Sequence, residues 1–585
     1  MKAYISELIN EAIGQISSQE AVRVLGTSVF DVSYPKHGFG DYATNVAMVL
    51  FKKFNDAPAK NPTEFARLLA DHLIKLDRKD TFTKIEAQGG FINFWLSKQH
   101  LVANLQTILD AKEQFGCSEQ GANQKVLVEY FQPNIAKPLH LGHLRTAIIG
   151  DSLFRILQFS GFNVESDTHL GDWGTQFGLL LLAYKKWGDQ AVVEADPIAE
   201  LNKLYVKINS EIEADETLRE QGKAEFVKLE QGDSENIELW KQFKNWSWQE
   251  FSIIYDELGV RKADHDWPES FYADKMPAVL EELKTKGLLV DSQGAQIVNL
   301  EEHNLGVAVV VKSDGGTTYL LRDLATFIYR KQQGFEKQLY IVDNRQSHTL
   351  AQTFKILELL GIITSPSEAI HIAYGVLSLP EGQMSTRKGT MVGAKELIRK
   401  AQEKALEIIN EKNPGLEDKD VVSKQVMQAA LKYFDLSHNY KSDIVFTWDK
   451  ALSFEGNTGP YLQYTHARIN GILRKYHHSG DFVTTSPREQ GEEGVELIDS
   501  ELMLLRKLQK FPEIITQTAE NYSPNIISNY LFELSQIFNT FYEAVPIIKE
   551  TDAAKQSLRI KMITATAQVL NNGLSLLGIK APEEM

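Results

Sequence analysis

One segment, residues 125–151, constrains the fold of this chain more than any other part of its sequence. It reads KVLVEYFQPNIAKPLHLGHLRTAIIGD. Its first residues, Lys125–Tyr130, form a short valine-rich apolar run that predicts a buried strand. Two prolines follow and predict a loop. From Leu144 onward apolar residues recur at helical spacing, and Gly161 marks the end of the predicted helix.

A pair of histidines lies where this loop meets the helix. His140 and His143 flank Leu141 and Gly142 at the predicted helix N-terminus. Free backbone N–H groups and the positive end of the helix dipole favour phosphate at such a place. Imidazoles add hydrogen-bond donors, and Gly142 lets a phosphate or an adenine ring approach the backbone closely. Two surface histidines before a helix would show the same local pattern, so the flanking residues must decide.

Composition excludes some classes of protein. Cys117 is the single cysteine among 585 residues, which excludes intramolecular disulfides and a zinc site built from several cysteines. The net charge of −16 argues against a general nucleic-acid binder, so an RNA partner would need a local basic surface. No apolar run reaches the length of a membrane span. Glu7 and Glu11 interrupt the N-terminal segment where a signal peptide needs an unbroken apolar core.

Further along the chain, predicted strands alternate with helices. Strands are predicted at Phe162–Leu170, Leu339–Val342 and His371–Leu377. A region of mixed helix, about 180–300, resembles an insertion between the two halves of a nucleotide-binding fold. The valine-rich run Gly306–Lys312 then predicts the strand with which the second half of that fold begins. This alternation predicts a parallel sheet with helices on both faces and a ligand crevice at the carboxyl ends of the strands.

A basic loop, Gln383–Gly389, follows the last of these strands with the sequence QMSTRKG. Arg387 and Lys388 give this loop two cations that could contact a phosphate. A charged surface loop is the alternative reading of such a run when it is seen alone.

Together these runs resemble the class I aminoacyl-tRNA synthetases. PNIAKPLHLGHLR resembles the HIGH motif in its arginyl-tRNA synthetase form, HLGDWGTQFG resembles the same family, and the basic loop resembles the KMSKS motif. The loop departs from KMSKS, because Gln383 replaces the first lysine and Thr386-Arg387 replace the second lysine and serine. Small nucleotidylyltransferases share the shorter HxGH pattern, but they would leave the C-terminal part of this chain unexplained.

The resemblance implies functional residues at matching positions. Catalytic roles fall on His140, His143, Arg387 and Lys388, and position in the sequence rather than the resemblance adds Lys137. ATP binding falls on His140, Gly142, His143, Met384 and Ser385, with Mg²⁺ travelling with ATP and no metal site on the protein. Arginine binding falls on Glu129, Asn134, Tyr319, Asp323 and Gln346.

Charge supports the assignment of the arginine-binding residues. A guanidinium offers five hydrogen-bond donors and no acceptor, and a carboxylate can accept two of these hydrogen bonds. Glu129 and Asp323 are the two carboxylates among these residues, although a helix cap or a structural ion pair is the alternative for either. Lys137 lies three residues before His140 and is the best candidate for the cation that the basic loop lacks.

The C-terminal third is predicted to be helical. EGNTGPYLQYTHAR resembles the start of the anticodon-binding domain of arginyl-tRNA synthetases. Tyr461, Tyr464 and Arg468 share one predicted helix face that suits base stacking, although a buried aromatic stripe is the alternative. The resemblance adds Tyr542 and Met585 as anticodon contacts. GDYATNVAM and GGFINFWL resemble the N-terminal domain of the family, which touches the D-loop corner of the tRNA.

The sequence therefore predicts a multidomain α/β plus all-α protein. A small α+β N-terminal domain would span 1–110, a Rossmann-like parallel-sheet catalytic domain with its insertion 115–395, a helical connector 396–450, and a helical-bundle anticodon-binding domain 451–585. The implied activity is ATP-dependent charging of tRNA(Arg) with L-arginine, by a protein expected to be a cytoplasmic monomer without a membrane partner. The alternative is a catalytically dead paralogue that acts as an RNA-binding or regulatory protein.

Overall fold

The computed structural model describes residues 1–16, 30–36, 38–53, 59–378, 380, 393–478 and 495–585. Four predicted site residues of the basic loop, Met384, Ser385, Arg387 and Lys388, lie outside the described residues.

The strands, in chain order, are β1 (Val32–Ser33), β2 (Tyr42–Thr44), β3 (Phe82–Gln88), β4 (Phe91–Leu96), β5 (Lys125–Glu129), β6 (Asn163–Asp167), β7 (Leu289–Ser292), β8 (Ala295–Asn299), β9 (Val307–Val311), β10 (Lys337–Asp343), β11 (Ala369–Tyr374), β12 (Leu377–Ser378) and β13 (Ile444–Val445). The helices before residue 300 are α1 (Lys2–Ile16), α2 (Val46–Phe51), α3 (Pro62–Leu76), α4 (Lys98–Ala111), α5 (Leu141–Phe159), α6 (Thr175–Trp187), α7 (Gln190–Ala195), α8 (Pro197–Ala214), α9 (Thr217–Glu230), α10 (Ser234–Leu258) and α11 (Met276–Thr285). Those after it are α12 (Tyr319–Gln332), α13 (Ser347–Leu360), α14 (Ala394–Lys412), α15 (Lys419–Leu436), α16 (Trp448–Ala451), α17 (Gly459–His478), α18 (Asp499–Gln509), α19 (Phe511–Asn521), α20 (Asn525–Ala544) and α21 (Ala553–Leu576). No helix within these described ranges has both the length and the apolar character of a membrane span.

The chain forms two compact units. The first consists of Met1–Cys117, Thr465–Gln517 and Tyr530–Asn572, and the second of Ser118–Tyr464, Thr518–Asn529 and Gly573–Met585. The first unit contains an antiparallel sheet of order β1-β2-β4-β3. Asp41 stabilises the end of β4, because one carboxylate oxygen accepts the Leu96 N–H at 2.8 Å and the other pairs with Arg506 at 2.9 Å.

The second unit is built on a parallel sheet of order β11-β10-β5-β6. Its two central strands, β5 and β10, are buried on both faces, as parallel strands between helices must be. The chain runs from β5 to β6 on one side and later returns to β10 on the other side of β5. The order thus reverses between β5 and β10, and the carboxyl ends of these two strands form the crevice in which such sheets bind ligands.

The prediction that the nucleotide fold returns at Gly306–Lys312 is wrong. β9 is a strand, but it pairs antiparallel with β8 in a separate sheet of order β7-β8-β9. Gln293 and Gly294 join β7 to β8 with positive φ angles of 51° and 84°, as a tight two-residue hairpin requires. Along β9 exposed and buried residues alternate from Val307 to Val310, whereas a strand inside the parallel sheet would be buried on both faces. Valine content alone cannot distinguish these two environments.

Candidate active site

The histidine pair opens α5 at the carboxyl edge of the parallel sheet. His140 is the N-cap residue, and its Nδ1 accepts the backbone N–H of Gly142 at 3.1 Å. His143 completes a reciprocal cap, because its Nδ1 accepts the backbone N–H of His140 at 3.2 Å. The two rings stack with centroids 3.7 Å apart and an angle of 21° between their planes. The helix start thus fixes both side chains in one orientation.

Both rings are neutral near pH 7. Burial, with a smaller contribution from the charge of Arg345, lowers the pKa of His140 to about 4. Burial, followed by the proximity of His140 and Lys137, lowers the pKa of His143 well below its ordinary value. Since each Nδ1 already accepts a hydrogen bond, each neutral ring carries its proton on Nε2. The pair therefore offers two N–H donors without placing two cations 3.7 Å apart.

Lys137 lies in the loop before these histidines. Its ammonium sits 4.7 Å from the centroid of the Tyr205 ring, and burial lowers its pKa. Lys137 is also close enough to His143 to lower the pKa of that ring. Tyr205 belongs to α8 of the inserted region, so the insertion supplies one wall beside the phosphate-side residues.

A buried ion network lies at the adjacent ends of β5 and β6. Glu129 and Asp167 are register partners there, and the Arg330 guanidinium from α12 pairs with both carboxylates. Arg330 is fully buried, and its contact with Asp167 is 2.6 Å long. Gln132 donates to the Glu129 carboxylate at 2.6 Å. Burial lowers the pKa of His169 to about 4, so this neighbouring ring is neutral.

Asp323 is the carboxylate without a partner. It has no hydrogen bond or ion pair with any other residue that the structure describes. Burial, followed by the negative charges of Glu129 and Glu269, raises its pKa to about 8, although Arg322 and Arg330 oppose the shift. In an empty pocket Asp323 is therefore mostly protonated at pH 7. A bound cation would favour the ionised form, so this residue suits a positively charged ligand.

Glu269 is a second acidic neighbour that the sequence did not reveal. Its carboxylate pairs with Arg322 at 2.6 Å, and burial raises its pKa to about 7. The GDWG run explains its position, because Asp172 accepts the backbone N–H of Ser270 at 2.8 Å and its hydroxyl at 2.7 Å. The Glu269 N–H donates to the Leu170 carbonyl at 2.9 Å. The sequence around Glu269 contains no recognisable motif, so its place in the pocket is evident only from the folded structure.

Asn134 reaches the same edge through a close backbone approach. It pairs with Gly171 in an isolated parallel bridge, and a side chain at position 171 would come within 2.3 Å of Asn134 Oδ1. The same oxygen accepts a hydrogen bond from Gln176 Nε2 at 3.3 Å. Glycine at this position is thus a requirement for placing Asn134.

The remaining two predicted arginine contacts lie at more open positions. Tyr319 is the first residue of α12 and is 60% exposed. Burial, followed by the charge of Glu269, raises its pKa, and Arg322 opposes the shift, so Tyr319 lies near both groups. Gln346 lies beyond the end of β10 and is exposed, without a side-chain hydrogen bond to another described residue. Tyr319 thus interacts electrostatically with charged residues of the pocket, whereas the structure shows no such interaction for Gln346.

One group of potential metal ligands falls inside the ion network. Ligand atoms of Glu129, Asp167 and His169 lie within 4.8 Å of one another. Arg330 already pairs with both carboxylates, so this group does not suit a resident divalent cation. The carboxylates serve as partners of a guanidinium instead.

Three family models match successive parts of the chain. A family model described as tRNA synthetases class I (R), catalytic domain, matches residues 104–448. The chain belongs to the arginyl-tRNA synthetase family. The family's N-terminal domain model matches residues 3–96, and a DALR anticodon binding domain model matches residues 462–585. The domain boundaries deduced from the sequence stay predictions.

Relatives and solved structures agree with this assignment. The chain is 39% identical to the arginine–tRNA ligase of Alkaliphilus metalliredigens, over 100% of this chain and 99% of the relative. It is 40% identical to that of Clostridium botulinum, over 94% of this chain and 95% of the relative. The arginyl-tRNA synthetase structure from Thermus thermophilus superposes with a TM-score of 0.82 at 25% identity, with full coverage of both chains. That from Plasmodium falciparum gives 0.77 at 26% identity, over 100% of this chain and 99% of the other. The predicted family and fold class are confirmed.

The predicted anticodon residues of this synthetase occupy distinct surroundings. In the second unit, Tyr464 is 47% exposed and Tyr461 is half-buried. In the first unit, the Arg468 guanidinium lies 4.4 Å from the centroid of the Tyr542 ring. Met585 packs against a cluster formed by α14 and α15, and its backbone carbonyl accepts a hydrogen bond from Asn413 at 3.0 Å. Their contacts with tRNA stay a prediction.

Proposed function

We propose that this chain activates L-arginine with ATP to arginyl-adenylate and then transfers the arginyl group to the 3′ end of tRNA(Arg). The observation that carries this proposal is the charge of the pocket beside the histidine pair. It combines four carboxyl groups with two guanidinium groups: Glu129, Asp167, Glu269, Asp323, Arg322 and Arg330. Full ionisation would leave two negative charges. Arginine brings two cationic groups, its guanidinium and its α-ammonium.

Asp323 is the proposed anchor of the substrate guanidinium. It lacks a partner within the described structure, whereas Glu129 and Glu269 already pair with arginines of the protein. A guanidinium can donate two parallel hydrogen bonds to a carboxylate, which fixes its plane as well as its position. Citrulline has the same shape but no charge, so Asp323 would distinguish the two. Glu129 at the edge of the pocket, together with Asn134, Tyr319 and Gln346, completes the proposed contacts to the amino acid.

The histidines act on the phosphates. In the first step the arginine carboxylate attacks the α-phosphorus of ATP, the bond from that phosphorus to the bridging oxygen breaks, and pyrophosphate leaves. The Nε2–H groups of His140 and His143 donate hydrogen bonds to phosphate oxygens as negative charge develops on them. Mg²⁺ accompanies ATP and neutralises phosphate charge when bound. Gly142 lets the nucleotide approach the helix start, and Met384 and Ser385 are further proposed ATP contacts. No covalent intermediate with the enzyme forms.

Lys137 is the proposed cation for the pyrophosphate. Its place beside His143 supports this role, since the same phosphates would lie within reach of a flexible ammonium. Arg387 and Lys388 of the basic loop are the alternatives. The contact with Tyr205 holds the ammonium in place until a phosphate competes for it.

Recognition of tRNA completes the proposal. The DALR match at residues 462–585 supports anticodon binding by the helical region, with Tyr461, Tyr464, Arg468, Tyr542 and Met585 as proposed contacts. Cytoplasmic location and a monomeric state stay predictions from the sequence. The catalytically dead alternative gains no support from this site, because both histidines and the free carboxylate are in place.

The deciding experiment is aminoacylation of bulk tRNA with each of the amino acids in turn. We expect charging with arginine alone. Charging with a different amino acid would refute the arginine assignment, and no charging with any of them would favour the dead paralogue.

A further inference from the structure

Helix α12 carries a buried arginine on the face that lines the pocket. Asp323 lies four residues after Tyr319, and Arg330 lies seven after Asp323, so all three share one helical face. Tyr319 is exposed at the helix start, whereas Arg330 is fully buried two turns beyond Asp323. This face of the helix thus brings one free carboxylate and the Arg330 guanidinium to the site.

The guanidinium of Arg330 bridges two strands. One terminal nitrogen pairs with the Glu129 carboxylate, and the other contacts Asp167 Oδ2 at 2.6 Å and His169 Nδ1 at 3.3 Å. Glu129 and Asp167 are register neighbours at the ends of β5 and β6, so a single planar fork can contact both.

Without this bridge the two carboxylates would interfere with each other. Adjacent carboxylates in a buried place favour sharing a proton, because two neighbouring negative charges repel. Burial alone would raise the pKa of Glu129, but Arg330, His169 and Gln132 together lower it below its ordinary value. Burial raises the pKa of Asp167 to about 7 despite Arg330. The negative charge of the pair therefore concentrates on Glu129.

We propose that Arg330 is a positioning residue for recognition of the amino-acid substrate. By bridging Glu129 and Asp167 it holds the Glu129 carboxylate ionised and in one orientation at the edge of the pocket. It also fills, with a guanidinium of the protein, the place between two carboxylates that a substrate guanidinium would otherwise enter. The substrate guanidinium is thereby directed to Asp323. This inference rests on the proposed function.

Lysine cannot replace Arg330 in this role. An ammonium keeps the positive charge but is a single point on a flexible stem, so it cannot hold both carboxylates in one plane. We expect Arg330→Lys to raise the KM for arginine by about 10- to 100-fold, because Glu129 loses its orientation. The KM for ATP should change by less than about twofold, since ATP is expected to bind at the histidine pair.

The test is a double-mutant cycle in the full-length enzyme with tRNA present. It compares wild type, Arg330→Lys, Glu129→Gln and the double variant, with the KM values for arginine and ATP measured separately. If Arg330 acts through Glu129, Arg330→Lys should raise the arginine KM by less than about threefold when Glu129 is already glutamine. Lys331→Met is the matched control. It removes an ion pair with Glu368 from the neighbouring residue of the same helix, and it should leave the arginine KM unchanged.

Three outcomes would overturn the inference. The effects of Arg330→Lys and Glu129→Gln could multiply, which would make the two residues independent. Arg330→Lys could raise both KM values equally, as a general structural defect would. Glu129→Gln could leave the arginine KM unchanged, and this result counts even if Arg330→Lys does not fold. Charging of tRNA with arginine by the wild type tests the proposed function separately, so failure of one is distinguishable from failure of the other.

Discussion

Replacing Asp323 with asparagine should weaken the use of arginine, and by an amount that depends on pH. The pKa of this carboxyl is raised to about 8 in the empty pocket, with burial as the largest cause. A substrate guanidinium binds the ionised form. Asp323 must therefore lose a proton on binding whenever the pH is below its pKa. The sign follows directly, since raising the pH toward 8 and beyond removes this cost and strengthens arginine binding in the wild type.

The magnitude can be worked out in two steps. Breaking a desolvated charge pair costs about 2 to 5 kcal/mol. At pH 7, deprotonating Asp323 in the wild type costs about 1.4 kcal/mol, because its pKa is about one unit above the pH. The net loss in Asp323→Asn is then about 0.6 to 3.6 kcal/mol, or about 3- to 400-fold in kcat/KM for arginine. At pH 9 the deprotonation cost has nearly vanished, so the penalty should be about tenfold larger.

The assay is ATP–pyrophosphate exchange with cognate tRNA present, for both enzymes at pH 7 and pH 9. The ratio of wild type to variant cancels the titration of free arginine, because both enzymes use the same substrate. Citrulline serves as the control ligand, and its weak use should change far less between the two enzymes. A ratio that stays constant between the two pH values would refute the assigned titration. Equal penalties for arginine and citrulline would remove Asp323 from the pocket altogether.

Three further predictions concern the nucleotide side and tRNA. His143→Ala should slow adenylate formation by about 100- to 1,000-fold with arginine affinity nearly unchanged, as measured by single-turnover kinetics and equilibrium binding; lost arginine affinity with an intact rate would contradict the phosphate role. Lys137→Ala should slow pyrophosphate exchange severely, and adding Gln383→Lys should recover part of the rate; unchanged exchange in Lys137→Ala would transfer the role to Arg387 or Lys388. Exchange with arginine should be weak in RNA-free protein and rise when cognate tRNA is added, because tRNA would shift the population toward a complete pocket; strong exchange without RNA would count against this coupling.

The sequence was informative where one local pattern determines one local structure. The strand–loop–helix reading of residues 125–161 is confirmed, because valine clustering, prolines and a terminal glycine each act over a few residues. The placement of β9 was wrong for the opposite reason. A valine-rich run forms a strand in either a parallel or an antiparallel sheet, and the choice depends on a hairpin partner that periodicity does not reveal.

The pocket shows the same limit. Glu129 and Asp323 were assigned from a family resemblance, and the charge of a guanidinium gave that assignment a physical reason. The structure adds that only one of the two, Asp323, is free of partners among the described residues. Arg330 and Glu269 had no local signal, because their importance lies in pairing with residues far away in the sequence. Contacts of this kind are a property of the fold and cannot be read from spacing.

Under the proposed function, the charge of the crevice would separate the two substrates. On the nucleotide side, burial keeps His140 and His143 neutral, so they offer donors to phosphate without requiring buried cations. On the amino-acid side, carboxylates exceed guanidinium groups, and Asp323 holds a proton that an incoming cation displaces. The two sides meet around β5, whose last residue is Glu129 and whose following loop leads to the histidines. A phosphate entering the amino-acid side would meet negative charge, and a guanidinium entering the nucleotide side would meet the Lys137 ammonium. The proposed contacts for one substrate would thus exclude the other substrate from the same place.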